Sequence, residues 1–238
     1  MPLRKTLFAI FGSLAVAVAA LPAGSAEAIR GGVDVDVAQY PWAVVITRPG
    51  SPHPQKESCG GVLLAANVIA TAGHCTGTGT TWSDRTVIAG RTDLTTSAGK
   101  TARPVAVYLH PEFVSCQNGL KCGDLALWFM DGNLGTAFVT PSSSQSDDAT
   151  GAVATMISWG NVGNGQYTSR SKKGEFTRAT DQVCTNAGFT FTAGKVGCYG
   201  PVNGSLITAI MFSFARASGG RRSPGCVALL PLVDRSAS

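Results

Sequence analysis

The sequence predicts an all-β fold, a barrel or sandwich, on three observations. Glycine is abundant, at 29 of 238 residues, while only 14% of residues are charged. No segment carries sustained helical periodicity. Short apolar or alternating runs recur instead between clusters of Gly, Pro, Asn and Ser, the pattern of short strands joined by turns rather than of alternating β/α units.

In chain order, residues 1–28 read as a targeting segment outside the fold. Arg4 and Lys5 make a positive start, 6–20 is an apolar run, and Ala26-Glu27-Ala28 supplies small residues for cleavage after Ala28. The run is short for a membrane span and breaks at Pro22. The expected product is therefore secreted and extracellular, with no membrane attachment after cleavage. Expected strands follow at 43–47, 61–65, 68–72, 86–89, 105–109, 125–129, 153–158 and 190–194. The polar stretch between Asp131 and Gly151, with its Pro141-Ser142-Ser143-Ser144 core, reads as a linker between two halves.

The formal charge is +5, mildly basic. Arg216, Arg221, Arg222 and Arg235 crowd the C-terminus without interleaved aromatic residues, so a solvated tail is expected and no nucleic-acid partner. Seven cysteines in an exported chain point to disulfides. Proximity in sequence suggests Cys59–Cys75, Cys116–Cys122 and Cys184–Cys198, leaving Cys226 over. No Cys/His spacing matches a zinc site, His53, His74 and His110 do not cluster, and no run of carboxylates makes a calcium loop. No cofactor or metal is expected.

The residues that carry chemistry are His74 and Asp124. His74 stands beside Cys75 at the end of an apolar run, so a crosslink to Cys59 would pin its imidazole. Asp124 opens the apolar strand Asp124-Leu125-Ala126-Leu127-Trp128. A carboxylate there is costly unless it is hydrogen-bonded, and an imidazole N–H is a fitting partner. Attack on an amide needs a nucleophile, a base to take its proton, and a carboxylate to fix the base's tautomer.

Several blocks around these residues resemble the trypsin-like (chymotrypsin-fold) serine proteases, in the style of bacterial secreted members. Cys59-Gly60-Gly61 through Thr71-Ala72-Gly73-His74-Cys75 resembles that family's histidine loop, with Gly73 where alanine is commoner. Tyr40-Pro41-Trp42-Ala43-Val44 resembles its first strand. His110-Pro111-Glu112-Phe113 and Gly123-Asp124-Leu125-Ala126-Leu127 resemble its His-Pro-x-Tyr and Asn-Asp-Ile-Ala-Leu blocks. Ser158-Trp159-Gly160 resembles its Gly-Trp-Gly strand, and Cys184 and Cys198 resemble a pair around its intermediate loop. Ile29-Arg30-Gly31-Gly32 is similar to its mature terminus, Ile-Val-Gly-Gly, whose freed isoleucine ammonium pairs inside with the aspartate before the nucleophile.

The resemblance implies two Greek-key β-barrels of the chymotrypsin/trypsin type. The first covers 29–135, and the second, 136–202, is partial and left incomplete or disordered at its C-terminal end. It implies a serine endopeptidase acting on protein or peptide substrates, monomeric, and open to protein protease inhibitors. The family's Gly-Asp-Ser-Gly-Gly-Pro block is absent. The nearest fragment is Arg216-Ala217-Ser218-Gly219-Gly220-Arg221, which makes Ser218 the nucleophile candidate, and no aspartate lies between Asp181 and Asp234. Gly225-Cys226-Val227 resembles half of a further family disulfide. Residues 203–238 therefore read as a diverged or frame-disrupted tail, in which Asn203-Gly204-Ser205 makes a glycosylation sequon. Two rivals follow: a catalytically inactive homologue that binds proteins through the same loops, and a β-rich adhesin in which His74 and Asp124 lie apart.

Overall fold

The computed structural model describes residues 29, 32–77, 81–111, 113–115, 121–122, 124–135, 137–141, 149–163, 166–186, 197–201 and 210–212. Residues 1–28, expected to be a targeting segment, the 190–194 run, Cys116, Ser218 and Cys226 lie outside these residues, as do the side chains of Cys122 and Cys184.

The strands are β1 (Val33–Asp34), β2 (Ala43–Thr47), β3 (Glu57–Ala65), β4 (Val68–Thr71), β5 (Thr86–Ala89), β6 (Lys100–Ala102), β7 (Pro104–Leu109), β8 (Val114–Ser115), β9 (Lys121–Cys122), β10 (Ala126–Met130), β11 (Val153–Gly163), β12 (Gln166–Arg178), β13 (Gly197–Pro201) and β14 (Ile210–Phe212). Among the described residues one short α-helix, α1 (Asp181–Asn186), accompanies them. The fold is all-β and chymotrypsin-like.

A seven-stranded antiparallel sheet runs in the order β6-β5-β2-β3-β4-β10-β7. Strands β2, β3 and β4 form a meander and β5 returns beside β2, which is the Greek-key order. Its two edge strands, β6 and β7, are separated in the chain only by Arg103, so the sheet curls back toward itself and has little free edge to protect. Val44, Ile46, Leu63, Ile69, Val87 and Trp128 fill its interior, none more than 1% exposed. Burying each such side chain contributes about 1.5–3 kcal/mol.

The second sheet runs β1-β12-β13-β14, with β11 also paired to β12. Strand β1, which the sequence groups with the strands after it, lies instead on β12, with Val33 opposite Lys173 and Asp34 opposite Lys172. Lys172 Nζ sits 2.6 Å from an Asp34 carboxylate oxygen across this pairing, and Ile29 just before the strand is buried in the core of the second sheet. Strand β14 falls inside the stretch read as a tail. Strand β12 escapes sequence reading because it is polar, with only Ser171 and Phe176 buried along its length.

A hydrogen-bonded seam joins the two sheets. Ile157 and Trp159 of β11 belong to the core of the first sheet, and Trp159 Nε1 donates to the Thr92 carbonyl at 3.2 Å. The Thr92 hydroxyl donates to Asp36 Oδ1 at 2.7 Å and accepts the Val37 N–H at 3.1 Å. Ser171 N–H donates to the Thr92 carbonyl at 2.8 Å. Among the described residues no helix is long and apolar enough to cross a membrane.

Candidate active site

His74 lies in a 3-10 turn, Gly73–Thr76, that leaves β4 directly after Ala72. Strand β4 is fixed on both sides, by β3 and by β10, and Thr71 Oγ1 donates to the Gly60 carbonyl across the β3 pairing at 2.8 Å. The Cys59–Cys75 disulfide forms, spanning 16 residues. The turn therefore has covalent, ladder and side-chain restraints within a few residues of the imidazole.

Asp124 precedes β10, which pairs antiparallel with β4 so that Ala126 faces Thr71. That register carries the carboxylate to the histidine turn. Asp124 is 3% exposed and receives two hydrogen bonds from His74. Its Oδ1 accepts the backbone N–H at 2.7 Å, and its Oδ2 lies 2.7 Å from ring Nδ1. An ionised carboxylate can only accept, so the Nδ1 contact places the ring hydrogen there. Nε2 then carries the lone pair, on a side chain 22% exposed. Both contacts have the length of charge-assisted bonds, which is how a buried carboxylate is tolerated.

Below the turn, Trp128 of β10 is fully buried and its Nε1 donates to Thr76 Oγ1 at 3.1 Å. Sequence reasoning missed this brace, because a tryptophan in an apolar strand reads only as core. It also left Gly73 unexplained. A Cβ there would stand 2.5 Å from the Phe113 ring, so Phe113 occupies the space that alanine would need.

Cys59 and Cys75 sulfurs lie close to the His74 ring. Joined to each other, they are not available as thiolate ligands. Cys198 is also disulfide-bonded. Ile29 is 5% exposed and packs with Ala154, Met156, Phe176 and Tyr199 in the second sheet.

The geometry unites His74 with Asp124, and so removes the adhesin expectation that they lie apart. Comparison with known families then decides the lineage: the trypsin family model matches residues 29–208. The chain belongs to the trypsin family. A trypsin of Saccharopolyspora erythraea is 29% identical over 76% of this chain and 77% of its own length. The trypsin beta and trypsin alpha of Drosophila erecta are each 24% identical over 76% of this chain, covering 74% and 73% of their own lengths. Trypsin-family membership makes the chain a relative of serine peptidases in general, whose substrates are proteins.

Proposed function

We propose that the chain is a secreted serine endopeptidase of the trypsin class, hydrolysing peptide bonds through an acyl-enzyme. The doubly hydrogen-bonded His74–Asp124 pair carries this reading. In it, Asp124 holds the imidazole in the tautomer that leaves Nε2 basic. His74 takes the proton from the Ser218 hydroxyl as its oxygen attacks the scissile carbonyl, then returns it to the leaving amine. Asp124 steadies the imidazolium that forms between those steps.

Export would use residues 1–28, with cleavage freeing Ile29. Burial of the Ile29 side chain and a family match that starts at this residue support that maturation point. Residues 29–135 and 136–202 would supply most of the two barrels, with Ile29 and β1 crossing onto the second and β14 extending it, and with further crosslinks Cys116–Cys122 and Cys184–Cys198. The product would act as a monomer and bind protein inhibitors through the same cleft.

A second reading, an inactive homologue that binds proteins, draws on one specific observation. Ala217 and Arg221 flank Ser218 where the family has aspartate and proline, and no aspartate between Asp181 and Asp234 could receive the Ile29 ammonium. A fluorophosphonate probe separates the two, because it labels only an activated serine. Labelling of the secreted chain that disappears in His74→Ala and in Ser218→Ala supports the endopeptidase. An unlabelled native chain supports the binding homologue.

A further inference from the structure

Strand register lines up three basic residues at one end of the first sheet. Strand β2 pairs with β5 as far as Thr47 opposite Thr86, and with β3 as far as Thr47 opposite Glu57. One step further along each ladder sets Arg48 opposite Arg85 on one side and opposite Lys56 on the other. The Arg48 N–H holds the second of these positions, donating to the Lys56 carbonyl at 2.9 Å. Lys56, Arg48 and Arg85 thus stand side by side across the ends of three adjacent strands. Sequence reading hides the row, because its members come from separate strand ends and are brought together only by pairing.

Little negative charge answers this row. Asp84 Oδ1 lies 3.0 Å from Arg85 Nη1, and among the described residues no other carboxylate pairs with any of the three. The Glu57 carboxylate is buried against Gly160 of the other sheet. Lys56 Nζ donates to the Ser51 carbonyl at 3.2 Å, which fills a hydrogen bond without neutralising the charge. Like charges opposite one another on neighbouring strands lower stability, a cost that a bound anion offsets. Burial lowers the pKa of Arg85, Asp84 opposes that shift, and the like charge of Arg48 adds to it. An arginine stays cationic all the same. Arg85 is buried, Arg48 half-buried and Lys56 exposed. The last two are therefore the contact groups, and Arg85 backs them with charge.

Both ends of the row adjoin the His74 turn. Lys56 precedes Cys59 by about 10 Å of strand, and the Cys59 sulfur lies close to the His74 ring. At the other end, a Cβ on Gly77 would stand 3.4 Å from Arg85 Nη2, and the Gly77 N–H donates to the His74 carbonyl at 3.2 Å. Neighbouring strands are about 4.8 Å apart, so charges spread over three of them suit successive carboxylates better than one small anion. We propose that Arg48 and Lys56, backed by Arg85, bind an acidic stretch of a protein partner. Under the endopeptidase reading, on which this clause rests, that partner is the substrate, and its carboxylates lie a few residues from the scissile bond.

Fluorescence anisotropy of a labelled glutamate-rich peptide tests the site, with its glutamine counterpart beside it. The mature His74→Ala chain serves as host, so that neither peptide is hydrolysed. At low salt the glutamate peptide is expected to bind about tenfold more tightly than the glutamine one, an advantage that shrinks as salt is raised. Arg48→Ala combined with Lys56→Ala should weaken it about threefold or more. Lys100→Ala, at the other end of β5 opposite Ala89, should leave it unchanged. Equal affinity for the two peptides, or no loss in the double variant, overturns the proposal. So does an equal loss in Lys100→Ala, because the attraction would then belong to the overall positive charge. The readout needs no turnover, so its failure is distinguishable from failure of the endopeptidase reading, which the fluorophosphonate probe decides.

Discussion

Gly73 and Phe113 show how one side chain licenses another. The Phe113 ring occupies the place of a Gly73 Cβ, so Gly73→Ala is expected to lower stability by about 1–3 kcal/mol through overpacking. In a Phe113→Ala background the same change should cost less than about 0.5 kcal/mol, because the obstruction is gone. Urea denaturation of the four proteins measures the difference. His74 and Asp124 were legible in the sequence for a physical reason. A base must be pinned and its carboxylate buried, and both needs leave marks: an adjacent cysteine and an acid at the head of an apolar strand. Glu57, buried at the head of β3, left no such mark. Its burial comes from packing against Gly160 of the other sheet, which periodicity cannot report.

Among elements, the runs at 43–47 and 86–89 coincide with β2 and β5, since both are buried along most of their length. Strand β12 was invisible because its side chains are mostly polar and at least half-exposed, and its place is set by pairing with β1, β11 and β13. The loop closed by Cys59–Cys75 spans 16 residues, for which chain entropy gives about 3 kcal/mol. Replacing both cysteines with alanine is expected to lose about that much in denaturant titration and to loosen the histidine turn. Strand β10 depends on the Trp128 brace in a comparable way. Trp128→Phe removes the donor to Thr76 and some volume, and should cost about 1–3 kcal/mol in the same assay.

For the molecule as a whole, the seam at Thr92 decides how the two sheets stay together. Thr92→Val keeps the shape but removes both hydroxyl hydrogen bonds, and is expected to destabilise by about 1–3 kcal/mol. Hydrogen exchange should show it first at the Val37 amide. The same seam is sensitive to acid. The hydrogen bond from Lys172 lowers the pKa of Asp34, the Ala38 N–H lowers that of Asp36, and the Thr95 N–H lowers that of Asp93. Each carboxylate binds its proton more weakly folded than unfolded, so its stabilising effect is present above the ordinary carboxylate value of 3.8. That effect fades as pH falls through the lower folded values. Exchange at Val37 and Ala38 should therefore accelerate below about pH 4, relative to the core of β2 and β3.

The most direct measurement is turnover of a peptide amide by the mature chain and by its Asp124→Asn variant. The variant keeps the side-chain shape but can no longer hold His74 in the tautomer that leaves Nε2 basic. The account predicts a fall in kcat of about 10⁴-fold with the fold intact by circular dichroism. Equal rates in the two proteins, or no turnover by the native chain, would contradict it.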